Sequence, residues 1–362
     1  MCFRKLSFGQ EKYDPFDPLI PGLPEEIAKL CIALVPRSYL PTMGAVSKAW
    51  RKYIRSKEFM AVRREAGRVE EWIYFLTGNP RGKEGIHWEV SGSGLVGDKT
   101  KMLPPMPGQV RGGFGVVVVD GKLLVLAGYT LDEEMNCLAV SDEVYEYDSL
   151  LNRWSILAKM NVARYDFACA EVDGLVYAVG GFGADGDSLS STEVYDPATN
   201  QWTLVQSLRR PRWGCFACGL SGNLYVMGGR SSLTIGNSRS VDIYAPDQDS
   251  WREMKNGCVM VTAHAVLGSR LFCVEWKNQR RLAIFDPVDN CWHEALIPLT
   301  GSSTVSFCFG ILEGKLFLFP SEEKPGYRTL VYNPNAPTGS EWTTTSVIRP
   351  PGICLNCITI EA

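Results

Sequence analysis

Residues 173–202 read DGLVYAVGGFGADGDSLSSTEVYDPATNQW. A turn pair, Asp173-Gly174, opens onto a short apolar run that ends in Gly180-Gly181. Glycine in such a turn supplies the positive φ that tight hairpins need. A polar loop follows, then a second short run closing on Tyr195-Asp196-Pro197, with Trp202 seven residues after the tyrosine. The same landmarks recur outward from this stretch. Turn pairs stand at Asp120-Gly121, Ser221-Gly222, Gly268-Ser269 and Glu313-Gly314, so the five turn glycines are spaced by 53, 48, 46 and 46 residues. Gly128 and Gly229 match Gly181, while Glu275 and Ser321 hold that place in the last two units. Aromatic turns at Tyr147-Asp148, Tyr244-Ala245-Pro246, Phe285-Asp286-Pro287 and Tyr332-Asn333-Pro334 lead to Trp154, Trp251, Trp292 and Trp342. A nearly constant period of this size marks a repeat architecture.

Each unit predicts a four-stranded antiparallel sheet. The glycine turn joins its first two strands, the aromatic-acid-proline turn its last two, and the tryptophan of the fourth strand packs on a neighbouring unit. Such sheets arranged radially form a β-propeller, which leaves few exposed edges. The flanks supply one more blade. EWIYFLTG (71–78) and GIHWEV (85–90) read as strands, with Trp88 in the late position, and LNCITI (355–360) is a further strand beyond the fifth repeat. The expectation is a mainly β fold, a six-bladed propeller in which residues 71–107 and the C-terminal strand share one blade. A five-bladed ring with stray flanks is the alternative.

The N-terminal part has a different period and a different charge. Residues 19–68 hold ten Lys/Arg and four Asp/Glu, a balance of +6, so the rest of this −3 chain carries −9. Pro24 precedes Glu25 and Glu26, a favourable opening for a helix, and Ile27, Leu30, Cys31 and Leu34 recur at helical spacing. Pro36 and Pro41 interrupt, and a second stripe runs Met43, Val46, Trp50, Ile54. Two or three short helices in so few residues bury little apolar surface, so they need the next domain or a partner. The division expected is a tail at 1–18, a helical domain at 19–65 and the propeller at 66–362.

The paired glycines, the Tyr-Asp-Pro turns and the spaced tryptophans resemble the kelch repeat over about residues 110–345. Leu23-Pro24-Glu25-Glu26-Ile27, then Leu34-Val35-Pro36, Val46-Ser47-Lys48, Trp50-Arg51 and Phe59, resemble an F-box. The whole chain is similar to plant F-box/kelch-repeat proteins, and VARYDFACAEVDG (162–174) and RRPRWGCFACGLSG (209–222) resemble blocks of one plant subgroup. The resemblance implies a non-catalytic substrate receptor of an SCF-type cullin–RING ubiquitin ligase. The helical domain would dock on a Skp-family adaptor and the propeller would hold a protein substrate for ubiquitination and degradation. It implies that Leu23, Pro24, Ile27, Leu30, Val46 and Trp50 carry F-box packing and adaptor contact. Because some plant relatives target enzymes of phenylpropanoid and flavonoid synthesis, a substrate from those pathways is implied as well.

Antiparallel order puts the long loops 128–141, 182–191, 230–240, 276–280 and 320–327 on one face with the inter-blade connections. Variable loops on a rigid scaffold are where binding concentrates. Arg111, Arg164 and Arg212 each precede the turn glycine by ten residues, where the last two units have Cys258 and Thr304. They serve either as forks for a carboxylate or phosphate or as framework residues bonding neighbouring loops. Tyr165, Asp166 and Trp213 vary between repeats and are sharper substrate candidates, against burial in the central channel. Trp276, in the basic stretch WKNQRR, is a further candidate anchor or a capped loop residue.

Other classes are disfavoured. No apolar run reaches the ~18 residues that span a bilayer, and the N-terminus lacks a hydrophobic signal core. No Asn-x-Ser/Thr sequon occurs, so the twelve cysteines read as reduced thiols in the cytoplasm or nucleus. A nearly neutral chain is a poor nucleic-acid binder, and the basic helices read as a solvated face or a complement to an acidic adaptor. Cys215/Cys218 and Cys354/Cys357 lie in predicted strands, where i and i+3 point to opposite faces, so zinc and redox use are set aside. Three scattered histidines, His87, His264 and His293, give no metal site of the kind found in propeller oxidases that resemble galactose oxidase. No cofactor is expected. A non-ligase kelch scaffold is the main alternative, and a propeller oxidase the remote one.

Overall fold

A computed structural model describes residues 18–79, 85–92, 101–108, 112–131, 138–232, 238, 240–254, 261–276, 280–298, 306–321, 328–350 and 352–361. The chain divides into two compact units at Val69/Glu70.

Among the described residues the first unit holds four short α-helices: α1 (Glu25–Ala33), α2 (Leu40–Val46), α3 (Lys48–Ile54) and α4 (Lys57–Glu65). That is more than the expected two or three, because the residues read as breaks are helix starts. Pro41 sits in the first turn of α2, where its missing N–H has no helical partner to lose. Pro24 is the N-cap of α1, with Glu25 and Glu26 in the first turn. Ser47 Oγ accepts from Trp50 N at 3.3 Å and Ser56 Oγ from Phe59 N at 3.2 Å, so serine caps open α3 and α4. Ala28, Ile32, Ala33, Leu40, Ile54 and Phe59 form the small core. The buried Arg63 guanidinium donates to Ala33 O (2.8 Å), Val35 O (2.9 Å) and Arg68 O (2.8 Å), placing a cation on the orphan carbonyls that end α1.

The second unit is a six-bladed propeller, as the repeats and flanks predict. Blade 1 takes Cys354–Glu361 from the C-terminal end, followed in the sheet by Glu71–Asn79, Gly85–Gly92 and Lys101–Met102. The five sequence repeats are blades 2 to 6, beginning at Gly115, Ala168, Trp213, Val261 and Phe307. The first strands of successive blades touch one another around the ring, and Cys354–Glu361 contacts both Phe307–Leu312 and Gly115–Val119, which closes it. Trp88 lies on the third strand of blade 1, unlike the fourth-strand tryptophans of the repeats. Six hydrophobic clusters fill the six gaps between adjacent blades.

The repeat landmarks have physical causes. In the first-to-second-strand turns of blades 2, 3, 4 and 6 both central residues have positive φ, as in Asp173 (50°) and Gly174 (83°). This is the hairpin geometry that matches strand twist. The aromatic, the Asn/Asp five residues on and the tryptophan form one fastening. Tyr147, Tyr195 and Tyr244 hydroxyls donate to Asn152 (2.7 Å), Asn200 (2.9 Å) and Asp249 (2.6 Å), each in the left-handed region. Trp154, Trp202 and Trp251 indoles donate to the carbonyls of Pro104 (2.8 Å), Ala158 (3.1 Å) and Gln206 (2.8 Å) in the segment leading into the blade. Blade 5 has Phe285 in place of the tyrosine, with Asn290 still left-handed. Phe285→Tyr is therefore expected to gain one hydrogen bond and stabilise the propeller by about 0.5–1.5 kcal/mol. A raised urea midpoint with unchanged slope is the readout; a lowered midpoint counts against the shared fastening.

The cysteine pairs behave differently from each other. Cys215 lies in the cluster between blades 3 and 4 and Cys218 in that between blades 4 and 5, on opposite faces as strand alternation requires. Burial pushes their thiols up to about 11 and about 12. Cys354 and Cys357, however, share the cluster between blades 6 and 1. Pairing runs from Leu76↔Asn356 to Thr77↔Cys354, so the strand bulges at Leu355 and the parity changes. The expectation of opposite faces fails there for that reason.

Candidate functional site

In the helical unit the structure sorts the six expected F-box residues. Leu23, Ile27 and Leu30 are 39–47% exposed and Val46 is 76% exposed, while Pro24 is also on the surface. Ile27, Leu30 and Leu34 lie at i, i+3 and i+7, one stripe of α1, and the buried side of that helix is instead Ala28, Ile32 and Ala33. Trp50 is half-buried and its indole donates to Leu19 O at 2.6 Å, so it secures the N-terminal segment of this unit. Leu34 and Tyr39 are exposed apolar residues absent from the expected adaptor set. Leu34 carries the same helical period and was legible by it. Several large aliphatic side chains on one face of a folded unit form a surface that gains by being covered.

On the propeller, Arg164 and Arg212 are buried, and both terminal nitrogens of each guanidinium bond within their own blades, while Arg164 Nε has no partner among the described residues. Arg164 Nη1 donates to Gly180 O (2.8 Å) and Ser191 O (3.0 Å), and Nη2 to Ser191 Oγ (3.1 Å) and Glu193 Oε1 (2.8 Å). Arg212 repeats this on Gly228 O, Ser240 O, Ser240 Oγ and Asp242. In this structure neither presents a fork to a substrate: of the two roles weighed for them, these bonds are those of the framework role. The paired glycines complete the joint: a Cβ on Gly180 would stand 2.4 Å from Arg212 O, and its φ is +65°. Arg111, Cys258 and Thr304 lie outside the described residues.

The residues after these arginines do come together. Asp166 is half-buried at the entry to the innermost strand of blade 3, with φ at +50°. The matching residues of blades 2 and 4 are Gly113 (+59°) and Gly214 (+60°). Asp166 N donates to Gly113 O (2.8 Å) and Gly214 N to Asp166 O (2.7 Å), a rung running around the inner ring. Burial raises the Asp166 pKa above the ordinary carboxylate value. Tyr165 and Trp213 are half-exposed and are bridged by Phe182, which stacks on both, at 5.1 Å and 4.7 Å between centroids. Tyr129 meets Tyr165 edge-on at 5.2 Å, and Arg230 lies over Trp213 at 5.7 Å. Gly112 makes room, since a Cβ there would be 2.7 Å from the Tyr129 ring. Tyr129, Phe182 and Arg230 each follow the paired-glycine position, and their identity changes from blade to blade, so no period singled them out.

Trp276 ends the second strand of blade 5, paired with Arg280; residues 277–279 lie outside the described residues. The histidines do not converge. His264 is half-buried and its Nε2 donates to Ala217 O (2.7 Å), with desolvation lowering its pKa; His87 meets Glu89 (2.7 Å) and His293 meets Asp289 (3.3 Å). Among the described residues no group of three or more His, Cys, Asp or Glu has metal-holding geometry. No helix among them is long and apolar enough to cross a membrane.

Comparison with known proteins fits this arrangement. The F-box domain model matches residues 20–61, and the Kelch motif matches 111–161, 163–209 and 211–257. An F-box/kelch-repeat protein of Arabidopsis thaliana is 54% identical, over 100% of this chain and 96% of the relative. A second from the same plant is 36% identical over 92% of this chain and 94% of its own length. The solved structure of YjhT covers 72% of this chain and 91% of its own at a TM-score of 0.55 and 12% identity, a likeness of fold alone. Full-length similarity, with a helical F-box unit followed by a six-bladed kelch propeller, makes this chain a member of the plant F-box/kelch-repeat protein family.

Proposed function

We propose that this protein is the substrate-recognition subunit of an SCF-type (Skp–cullin–F-box) ubiquitin ligase, acting in the cytoplasm or nucleus. The observation that carries this reading is the set of exposed aliphatic side chains Leu23, Ile27, Leu30 and Val46, with Ile27 and Leu30 on one stripe of α1, on an otherwise folded helical unit. An apolar face of that kind suits burial against a helical adaptor of the Skp family, with the +6 balance of residues 19–68 complementing an acidic partner. The propeller then presents its loop face to a protein substrate, and the partner subunits supply the chemistry. The test is co-expression of the full chain with a Skp-family adaptor and a cullin. Stoichiometric recovery of all three, with ubiquitin transfer to proteins held by the propeller, supports the reading. Failure of the full chain to retain the adaptor favours the non-ligase scaffold.

A further inference from the structure

Asp166 stands where a glycine would be less strained. Its backbone is left-handed, and blades 2 and 4 both carry glycine at the matching place. Aspartate tolerates that conformation better than most residues, yet glycine adopts it without penalty. Its carboxylate leans over Gly113, where a Cβ would stand 2.7 Å from Oδ1. No side-chain hydrogen bond or ion pair links it to any described residue, although it is half-buried. Burial without a partner among the described residues leaves the desolvation of the charge uncompensated by them. The same Cβ on Gly113 would stand 3.2 Å from Cδ1 of the Tyr129 ring, so the carboxylate and that ring converge on Gly113, and Asp166 follows Tyr165 directly in the chain. The carboxylate and the aromatic arc therefore belong to one site.

Each part of this site favours a cation. Half-exposed ring faces attract an ammonium or guanidinium, and Arg230 already uses one end of the arc in that way at Trp213. The exposed Asp185 and Asp187, in the loop that carries Phe182, add negative charge on the same face. The chain outside residues 19–68 has a net charge of −9, which steers positively charged partners toward it.

We propose that the propeller captures its substrate through a basic side chain, lysine or arginine, paired with Asp166 and flanked by the arc of Tyr129, Tyr165, Phe182 and Trp213. This rests on the substrate-receptor reading and gives it a chemical class: a segment of the substrate with an exposed basic residue. The remaining rings supply contact for its neighbours, since Tyr and Trp make strong interface anchors.

The test uses the full chain as bait for a randomised twelve-residue peptide pool. Wild type is expected to enrich one Lys or Arg position at least tenfold over the input. Asp166→Asn keeps the shape and backbone preference but removes the charge, and it is expected to lose that enrichment. Asp166→Gly is expected to lose it as well while holding or raising the unfolding midpoint, because glycine relieves the left-handed backbone. Removing one unit from a net charge of −9 hardly changes the diffuse field, so loss in both variants locates the effect at this site. Three outcomes overturn the proposal: enrichment of acidic or uncharged sequences, an unchanged basic enrichment on Asp166→Asn, or no selection by folded wild type. Adaptor binding is read on the same samples, so failure of this inference is separate from failure of the ligase reading.

Discussion

The double change Ile27→Asp/Leu30→Asp is expected to abolish recovery of the Skp-family adaptor while leaving the free chain folded. Both side chains are exposed on α1, so their replacement removes little of the core. The penalty in the free protein is helix propensity and an unfavourable charge late in the helix, about 1 kcal/mol in all. In the complex, a buried Ile or Leu contributes about 1.5–3 kcal/mol, so losing both weakens binding by roughly 10²–10⁴-fold. Two carboxylates pressed into an apolar interface weaken it further. A paired control sets the sign. Ile32→Asp, on the buried side of the same helix, is expected to unfold the helical unit. If Ile27→Asp/Leu30→Asp still co-purifies at wild-type yield, α1 is not the adaptor surface and the ligase reading fails. Leu23→Ala/Pro24→Ala should act in the same direction but more weakly, since alanine adds no charge to the interface.

This stripe also marks a limit of reading sequence. The spacing of Ile27, Leu30 and Leu34 announces an apolar helix face, but periodicity is silent on whether the covering partner lies within the chain. The inward side of α1 is built from Ala28, Ile32 and Ala33, and two of these are too small to stand out in a hydrophobic pattern. The propeller was legible for the opposite reason. Its turn glycines, tyrosines and tryptophans take part in the same bonds in blade after blade, so the physics repeats and the letters repeat with it. Where a blade departs, as at Phe285, the letter changes because the bond is missing. The bulge at Leu355 was hidden, since one extra residue in a strand leaves no signature among the alternating Cys, Leu, Asn and Ile around it. The aromatic arc was half visible. Tyr165 and Trp213 stood out by varying next to a recurrent arginine, whereas Phe182, the ring that joins them, looked like part of a glycine-rich loop.

The recurrent arginines carry the largest stability effect expected in the propeller. Arg164→Ala removes a side chain that is 0% exposed and makes four hydrogen bonds. Glu193 would remain buried with its charge unpaired, although Asn161 N (2.7 Å) and Val162 N (3.1 Å) still donate to it. Breaking a buried pair on one side typically costs about 3–5 kcal/mol, much of it from the stranded charge. The carbonyls of Gly180 and Ser191 lose their donor in the same step, at a position where the arginine side chain is fully buried. Arg164→Lys keeps the charge but has one nitrogen where two are needed to span Gly180 O, Ser191 and Glu193. It is expected to recover less than half of the loss. Arg209→Ala is the contrasting case. Its guanidinium meets Asp242 (2.7 Å) and Glu253 (3.1 Å) but is 49% exposed, and such pairs contribute about 0–1 kcal/mol. Urea unfolding followed by tryptophan fluorescence separates these cases by midpoint. The double change Arg164→Ala/Glu193→Ala should cost less than the sum of the two single changes, by about 1–3 kcal/mol, because no charge is then stranded. Equal midpoints for Arg164→Ala and Arg209→Ala would mean that the buried fork does not hold the blade, and would return Arg164 to the list of residues available to a substrate.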